Sequence, residues 1–172
     1  MWEEFLENIR QTVFSSVRIG WLDQDAAPNK DESAHSFPSY LSASLLAIVR
    51  CRAQVEQALG DRVRHIEGAS YQALSMTTVA EGVVEGICKE VMRRKLNLKV
   101  RQADTLANEL EFLRNTLKRF LGKDTVDKLE ATLHMVSSKA GRGRDYQGGP
   151  DGLAALEELE RLGRVYVLCL GD

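Results

Sequence analysis

The sequence has little of what secreted, membrane-spanning or disulfide-stabilised proteins need. Only three cysteines occur in 172 residues, and their odd number, wide spacing and apolar neighbours predict reduced core thiols in a cytosolic protein. No run approaches the roughly 18 uninterrupted apolar residues of a membrane span. The N-terminus, MWEEFLENIR, carries acids where a signal peptide needs a basic and then an apolar segment. These absences predict a protein with neither a leader nor a transmembrane helix.

Proline and net charge are also scarce. The three prolines lie in polar segments or at a helix start, so long stretches between them are free to be helical. The net charge of −2 argues against a strong global attraction to nucleic acid or to anionic membranes. Apolar residues make up 44% and charged residues 28%, as in ordinary globular proteins. The length favours a single domain that covers residues 1–172.

Apolar residues recur every three or four positions along most of the chain, which predicts amphipathic helices. One helix is expected over 2–17, a second from Ser36 to Gly60 with Pro38 in its first turn, and a third over about 62–96. A fourth ends at Gly122, and Asp124 and Asp151 are expected to cap the last two. The final RVYVLCL has β-propensity, but no second strand signal accompanies it, so a helix is preferred.

The predicted fold class is therefore all-α, an antiparallel bundle of about six amphipathic helices. An acidic, flexible linker is expected near residues 22–36 and a Gly-rich loop near 138–150. Three of the predicted apolar stripes are Leu74, Val79, Val83, Ile87, Cys88 and Val91; Leu106, Leu110, Leu113, Leu117, Phe120 and Leu121; and Leu153, Leu156, Leu159, Leu162 and Val165.

The third helix has two further features. Gly82 and Gly86 each weaken it by about 1 kcal/mol relative to alanine. Close packing of another helix against these glycines is the expected compensation. Glu81 and Glu85 lie one turn apart on the same helix and are expected on a solvated face.

No spacing typical of a catalytic or metal site is present. The segment GKDT at 122–125 lacks the glycine that a phosphate-binding loop has five positions earlier and the hydroxyl residue after its lysine, so a helix stop is favoured. None of the three histidines, His35, His65 and His134, has a second ligand-type residue at a recognised spacing. We therefore expect no enzyme activity, no cofactor, no metal and no small-molecule substrate. A site assembled in space from His134, Cys88 or paired carboxylates is the remaining alternative.

Positive charge is concentrated in KEVMRRKLNLKVR, residues 89–101, where Glu90 is the only acid. Cations suit the negative end of a helix dipole, so a solvated helix end is one interpretation. A docking patch for acidic lipid headgroups, nucleic acid or an acidic partner is the other. No aromatic residue is interleaved, so base stacking is poorly supported and nucleic acid is not an expected partner. The candidate contact residues are Arg93, Arg94, Lys95, Lys99 and Arg101.

The glycine-rich segment KAGRGRDYQGGPDG, residues 139–152, alternates glycine, arginine and a tyrosine between two predicted helices. It has no repeated RGG unit and none of the lysine–hydroxyl pair of a phosphate loop. A flexible connector is the favoured interpretation. A small exposed contact made by Arg142, Arg144 and Tyr146 is the alternative.

Three stretches, in order, resemble the C-terminal region of the exocyst complex component two family. They are FLENIRQTVFSSVRIGWLDQ, FPSYLSASLLAIVRCRAQV and LANELEFLRNTLKRFLGKDTVDKLEATL. The second carries Tyr40, Leu41, Leu45, Ile48 and Val55 at the family's pattern positions, and the third carries Leu110, Leu113, Arg114, Thr116, Leu117, Phe120 and Leu121. The resemblance covers most of this chain but only the C-terminal end of a family member.

The resemblance implies a non-catalytic helical scaffold. Subunits of this kind are rods of stacked helical bundles that tether secretory vesicles to the plasma membrane in exocytosis. The implied partners are other exocyst subunits, and an anionic membrane surface is a further expected partner. The implied location is the cytoplasm, in peripheral association with the plasma membrane or secretory vesicles. The alternative function is a basic-patch module that binds acidic lipid or nucleic acid.

Overall fold

The computed structural model describes residues 2–20, 37–60, 66–142 and 150–171. These residues form helices and connections, with no strand among them, so the predicted all-α helical bundle is confirmed. The helices are α1 (Trp2–Ser16), α2 (Ser39–Leu59), α3 (Ile66–Arg94), α4 (Val100–Leu117), α5 (Lys123–Lys139) and α6 (Pro150–Leu170), with a 3₁₀ turn at Lys118–Phe120.

Several helix ends lie at glycine or proline residues and not at the predicted acidic caps. Pro38 lies just before α2, with a φ of −55°, and so precedes the first turn in which it was expected. Gly60 ends α2 with a φ of 52°, which confirms the predicted stop because such a conformation strains other residues. The acidic linker over 22–36 lies outside the described residues.

Two predicted caps are wrong. Gly122, in extended conformation, is the N-cap of α5, so Asp124 lies inside the first turn, where its charge still suits the helix dipole. The fourth helix ends earlier than expected, at Leu117, because the 3₁₀ turn takes over before Gly122. Helix α6 begins at Pro150, which places Asp151 within its first turn.

The six helices alternate in direction along the chain, although several spatial neighbours run the same way. Helix α3 packs against α1, α2 and α5, while α6 packs against α2 and α4, and α4 also packs against α5. Arg10 reaches Glu81 and Glu85, and an added Cβ on Gly86 would meet Val17, so α1 is parallel to α3. The C-terminal ends of α1, α3 and α5 therefore lie at one end of the bundle, together with the N-terminal ends of α2, α4 and α6.

The core is built mainly from the predicted stripes of α3 and α4. In α4 the side chains of Leu106, Leu110, Leu113 and Leu117 are fully buried, whereas Phe120 and Leu121, beyond the helix, are half-buried. In α3 every predicted stripe residue except Leu74 is buried. Burial of this kind contributes about 25 cal/mol for each Å² of apolar surface removed from water, which makes these stripes the main support of the fold.

The predicted face of α6 is partly wrong. Leu153 and Val165 are 53% and 68% exposed, while Gly163 and Leu170 face inward. An added Cβ on Gly163 would lie 2.7 Å from Cζ of Phe112, so the helix approaches an aromatic ring through its glycine. This close approach rotates α6 away from the stripe that its leucines indicate.

Helix α1 packs directly against the two glycines of α3, Gly82 and Gly86. An added Cβ on Gly82 would lie 2.8 Å from the carbonyl oxygen of Arg10, and one on Gly86 would lie 2.9 Å from that of Phe14. Contacts this short leave no space for any side chain larger than hydrogen. The expectation that another helix packs against these glycines is therefore confirmed.

The glutamates of α3 do not form the expected solvated face. Glu85 accepts hydrogen bonds from Arg10 of α1, with Nη2 to Oε1 at 2.8 Å, and from Lys128 of α5, with Nζ to Oε1 at 2.8 Å. Burial alone would raise the pKa of Glu85, but the hydrogen bonds and charges of Lys128 and Arg10 outweigh it and hold the pKa below its usual value. One carboxylate thus ties three helices together.

The cysteines are only partly the core thiols that the sequence predicts. Cys88 is buried on α3 and Cys51 is half-buried on α2, but Cys169 is exposed. Cys169 stands on the outer side of α6 because the inward position is taken by its neighbour Leu170. No disulfide joins these thiols.

Candidate functional site

The connection between α3 and α4, together with the last turn of α3, brings the predicted basic residues to one corner of the bundle. The backbone amide of Asn97 donates to the carbonyl of Arg94 at 3.0 Å, which folds the chain back directly after α3. Leu98 is buried and anchors this connection, and the amide of Lys99 donates to the side chain of Gln102 at 3.1 Å. We call residues 89–101 the basic corner.

The basic corner presents its cations outward and its acid inward. The side chains of Arg93, Lys95, Lys99 and Arg101 are exposed, and that of Arg94 is half-buried. Glu90 is 5% exposed and accepts a hydrogen bond from Arg93 at 2.9 Å. Because the only acid of the segment is turned inward, the outer surface of the corner is almost purely positive. All five predicted contact residues therefore share this corner.

Three apolar side chains project from the same corner. Leu96 is 82% exposed, Val100 is 63% exposed and Met92 is 44% exposed. The sequence interpretation missed them because it treated residues 89–101 as a charge cluster alone. Nothing in the sequence pattern indicates their exposure, because it depends on the turn after Arg94, which leaves Leu98 as the buried residue of this connection. The corner is thus both basic and apolar.

A groove of about 580 Å³ lies between α1, α3 and α5. Phe14, Met92 and Met135 contribute its large apolar side chains, and Lys89 covers the Phe14 ring with its ammonium 4.5 Å from the centroid. The other lining residues are Gln11, Glu85, Cys88, Lys128, Ala131 and Thr132. Methionine and phenylalanine side chains of this kind adapt well to an apolar partner.

Cys88 and Glu85, two of the titratable groups considered for a site assembled in space, both line the groove. Burial raises the pKa of the Cys88 thiol, which keeps the sulfur protonated and weakly nucleophilic at neutral pH. His134 is exposed on α5 and does not line the groove. Glu85 is held as a carboxylate by two cations, so it lacks the raised pKa of a general acid.

Metal and phosphate sites find no support in the part of the chain that the structure describes. No group of three or more histidine, cysteine or acidic side chains there could hold a metal ion. His35 and His65 lie outside the described residues. At the N-terminus of α5 the amide of Gly122 donates to Glu81 at 3.0 Å, so a carboxylate occupies the position that a phosphate would need. The segment GKDT is therefore a helix start, with Gly122 as the N-cap of α5, and its interpretation as a helix stop is wrong.

The start of the glycine-rich connector is fixed by Arg142. Its side chain is buried, and its guanidinium donates to Asp104 of α4 at 2.6 Å and to Asn108 at 2.8 Å. The interpretation of Arg142 as part of an exposed contact is therefore wrong, because its charge is used to bind α4. Arg144 and Tyr146 lie outside the described residues.

Comparisons with protein-family models, with curated proteins and with solved structures give no match. Among the described residues, no helix combines the length and the apolar character needed to cross a membrane. The function must therefore be argued from the groove, the basic corner and the sequence resemblance.

Proposed function

We propose that the chain is a non-catalytic helical scaffold and interaction domain of an exocyst-type subunit that tethers secretory vesicles to the plasma membrane. The observation that carries the proposal is that most of the apolar signature residues of two resembling stretches belong to one core. Tyr40, Leu41, Leu45 and Ile48 of α2 pack into the same buried cluster as Leu110, Leu113 and Leu117 of α4. Such packing is expected of one bundle in a rod built from stacked helical bundles.

The groove between α1, α3 and α5 supplies a surface for a partner helix. Its volume and its Phe14, Met92 and Met135 side chains suit an amphipathic helix that lays an apolar face between the three helices. We propose that this occupant belongs to another subunit of the tethering complex. The protein would act in the cytoplasm, at the periphery of the plasma membrane or of secretory vesicles.

Affinity capture of the full-length protein from gently lysed cells tests the proposal. The expected result is that other exocyst subunits are recovered with it. Their absence, with the captured protein intact and folded, would overturn the exocyst assignment.

A substitution in the groove tests the partner surface separately. Ala131→Arg places a long charged side chain in the groove, and His134→Arg places the same side chain on the exposed face of the same helix, outside the groove. We expect Ala131→Arg to lose at least one of the recovered subunits and His134→Arg to lose none. Equal recovery by both variants would contradict the use of the groove.

A further inference from the structure

We propose that the basic corner docks on the surface of anionic membranes, with Leu96, Val100 and Met92 entering the headgroup region. This inference does not depend on the exocyst assignment, because it stands on the charge and exposure of residues 89–101. Its occupant is a lipid bilayer rather than a nucleic acid, and the apolar side chains decide between the two.

The basic corner is complementary in charge to an anionic membrane surface. The corner carries six lysines and arginines against one acid, and that acid is buried against Arg93. The remainder of the chain carries 17 lysines and arginines against 24 acids. The positive charge of the chain is therefore concentrated in this corner, which favours its approach to an anionic surface.

Apolar side chains are exposed among the cations of the basic corner. Leu96, at 82% exposed, projects from the turn itself, and Val100 begins the next helix at 63% exposed. A nucleic acid bound through its phosphates gains nothing from these side chains, because its backbone offers no apolar phase that would take them out of water. The interface of a bilayer offers both phosphate charges and acyl chains within a few ångströms of each other.

The connection that carries Leu96 and Val100 is fixed in place by the fold. The buried Leu98 lies between Leu96 and Val100, and the Asn97 and Lys99 amides are hydrogen-bonded on either side of it. The two exposed apolar side chains are therefore held outward by the fold. Little ordering is needed when they enter the headgroup region, which favours binding.

The experiment measures sedimentation of the 172-residue chain with vesicles at low salt. Vesicles of phosphatidylcholine alone are compared with vesicles that also contain phosphatidylserine. We expect binding only to the anionic vesicles, and weaker binding as ionic strength rises. Failure to bind anionic vesicles at low salt would overturn the proposal.

Two variants separate the apolar from the electrostatic contribution. Leu96→Ser with Val100→Ser keeps every charge, and we expect it to weaken vesicle binding by roughly tenfold. The matched control is Val165→Ser with Leu168→Ser, which removes a valine and a leucine of similar exposure from α6. We expect this control to bind like the unmodified chain. If the variant Leu96→Ser with Val100→Ser binds anionic vesicles as tightly as the unmodified chain does, the proposal that apolar side chains enter the headgroup region is overturned.

The electrostatic variant is Lys95→Gln, Lys99→Gln and Arg101→Gln. Each cation near an anionic surface adds about fivefold in affinity, so we expect the loss of three to weaken vesicle binding by roughly 100- to 200-fold. The matched control removes two lysines and an arginine elsewhere, as Lys118→Gln, Lys123→Gln and Arg164→Gln, all of which are exposed. A similar loss in the control would show that net charge alone governs binding and would contradict a specific corner.

An oligonucleotide arm distinguishes the membrane from nucleic acid. Under the proposal, the unmodified chain binds a mixed-sequence oligonucleotide more weakly than anionic vesicles at the same salt. Tight oligonucleotide binding that survives Leu96→Ser with Val100→Ser would overturn the membrane proposal in favour of nucleic acid. Circular dichroism spectra and urea unfolding curves of all variants establish that each loss arises in a folded protein.

Discussion

Helix α1 is held on α3 through two glycines, and Gly86→Ala tests how much that close approach matters. In an isolated helix this substitution would be favourable by about 1 kcal/mol, because alanine has the higher helix propensity. In this fold the new Cβ would lie 2.7 Å from Cγ2 of Val17 and 2.9 Å from the carbonyl oxygen of Phe14. The higher helix propensity would raise the free energy of unfolding, and the close contacts would lower it. The sign of the measured change therefore shows whether α1 packs against Gly86 as described.

The steric effect should exceed the propensity effect. Overpacking of a buried contact typically destabilises a protein by about 1–3 kcal/mol, and the Phe14 carbonyl belongs to the α1 backbone and cannot rotate away. We therefore expect Gly86→Ala to lower the free energy of unfolding by a net amount of up to about 2 kcal/mol. Adding Val17→Ala removes the contact with Cγ2 of Val17 but keeps the contacts with Cβ of residue 17 and with the Phe14 carbonyl oxygen, both at 2.9 Å. A minor part of the loss specific to Gly86→Ala should therefore disappear in a double-mutant cycle.

Urea unfolding followed by circular dichroism measures this change, and amide hydrogen exchange locates it. We expect exchange to increase selectively in α1. The control is Gly20→Ala, because an added Cβ there meets no atom within 4 Å. This control should be neutral or slightly stabilising, by up to about 1 kcal/mol. If Gly86→Ala stabilises the protein as the control does, α1 does not pack against this face and the reasoning is refuted.

Two further predictions concern buried polar side chains. Arg142→Gln should lower the free energy of unfolding by about 2 kcal/mol, because it removes charge-assisted hydrogen bonds to α4. Arg161→Gln, at an exposed ion pair, should leave the free energy of unfolding nearly unchanged. Equal effects of the two substitutions in urea unfolding would contradict the anchoring role of Arg142. Burial, and then the charge of Glu109, raises the pKa of Tyr40 well above its usual value, so the folded state retains the proton that the unfolded state loses above about pH 10. The stability of the unmodified chain relative to Tyr40→Phe should therefore be constant below that pH and fall by up to about 1.4 kcal/mol per pH unit above it, and a difference that does not change with pH would contradict this.

The sequence was most informative where one physical effect acts alone. The leucines of α4 recur with helical spacing between charged residues, and the same spacing appears in the fully buried Leu106, Leu110, Leu113 and Leu117. Only one orientation of that helix removes these side chains from water, so the prediction needed no knowledge of its neighbours.

Predictions failed for α6 and for Glu85, where contacts with distant parts of the sequence decide the packing. Apolar patterning gives no weight to Gly163, yet this glycine determines which face of α6 meets the ring of Phe112. The burial of Glu85 depends on Arg10 and Lys128, which lie on helices far away in the sequence. Neither contact can be deduced from periodicity, because each depends on the directions and neighbours of the helices.

The candidate site was predictable in its charges but not in its apolar component. The cluster at 89–101 is visible in the sequence, and the structure places its five predicted contact residues at one corner. Leu96 and Val100 were not distinguished from ordinary core leucines and valines. Their exposure follows from the turn after Arg94, which breaks the helical phase and lets Leu98 alone face the interior.

The two proposed surfaces adjoin at Met92, which lines the groove and is also exposed at the basic corner. From Met92 the groove extends back along α3 past Cys88 to Glu85, away from the corner. A bundle docked by its corner on an anionic bilayer would therefore hold the groove upright, with its far end directed away from the membrane. A partner helix in that groove would then stand on the membrane surface beside α3.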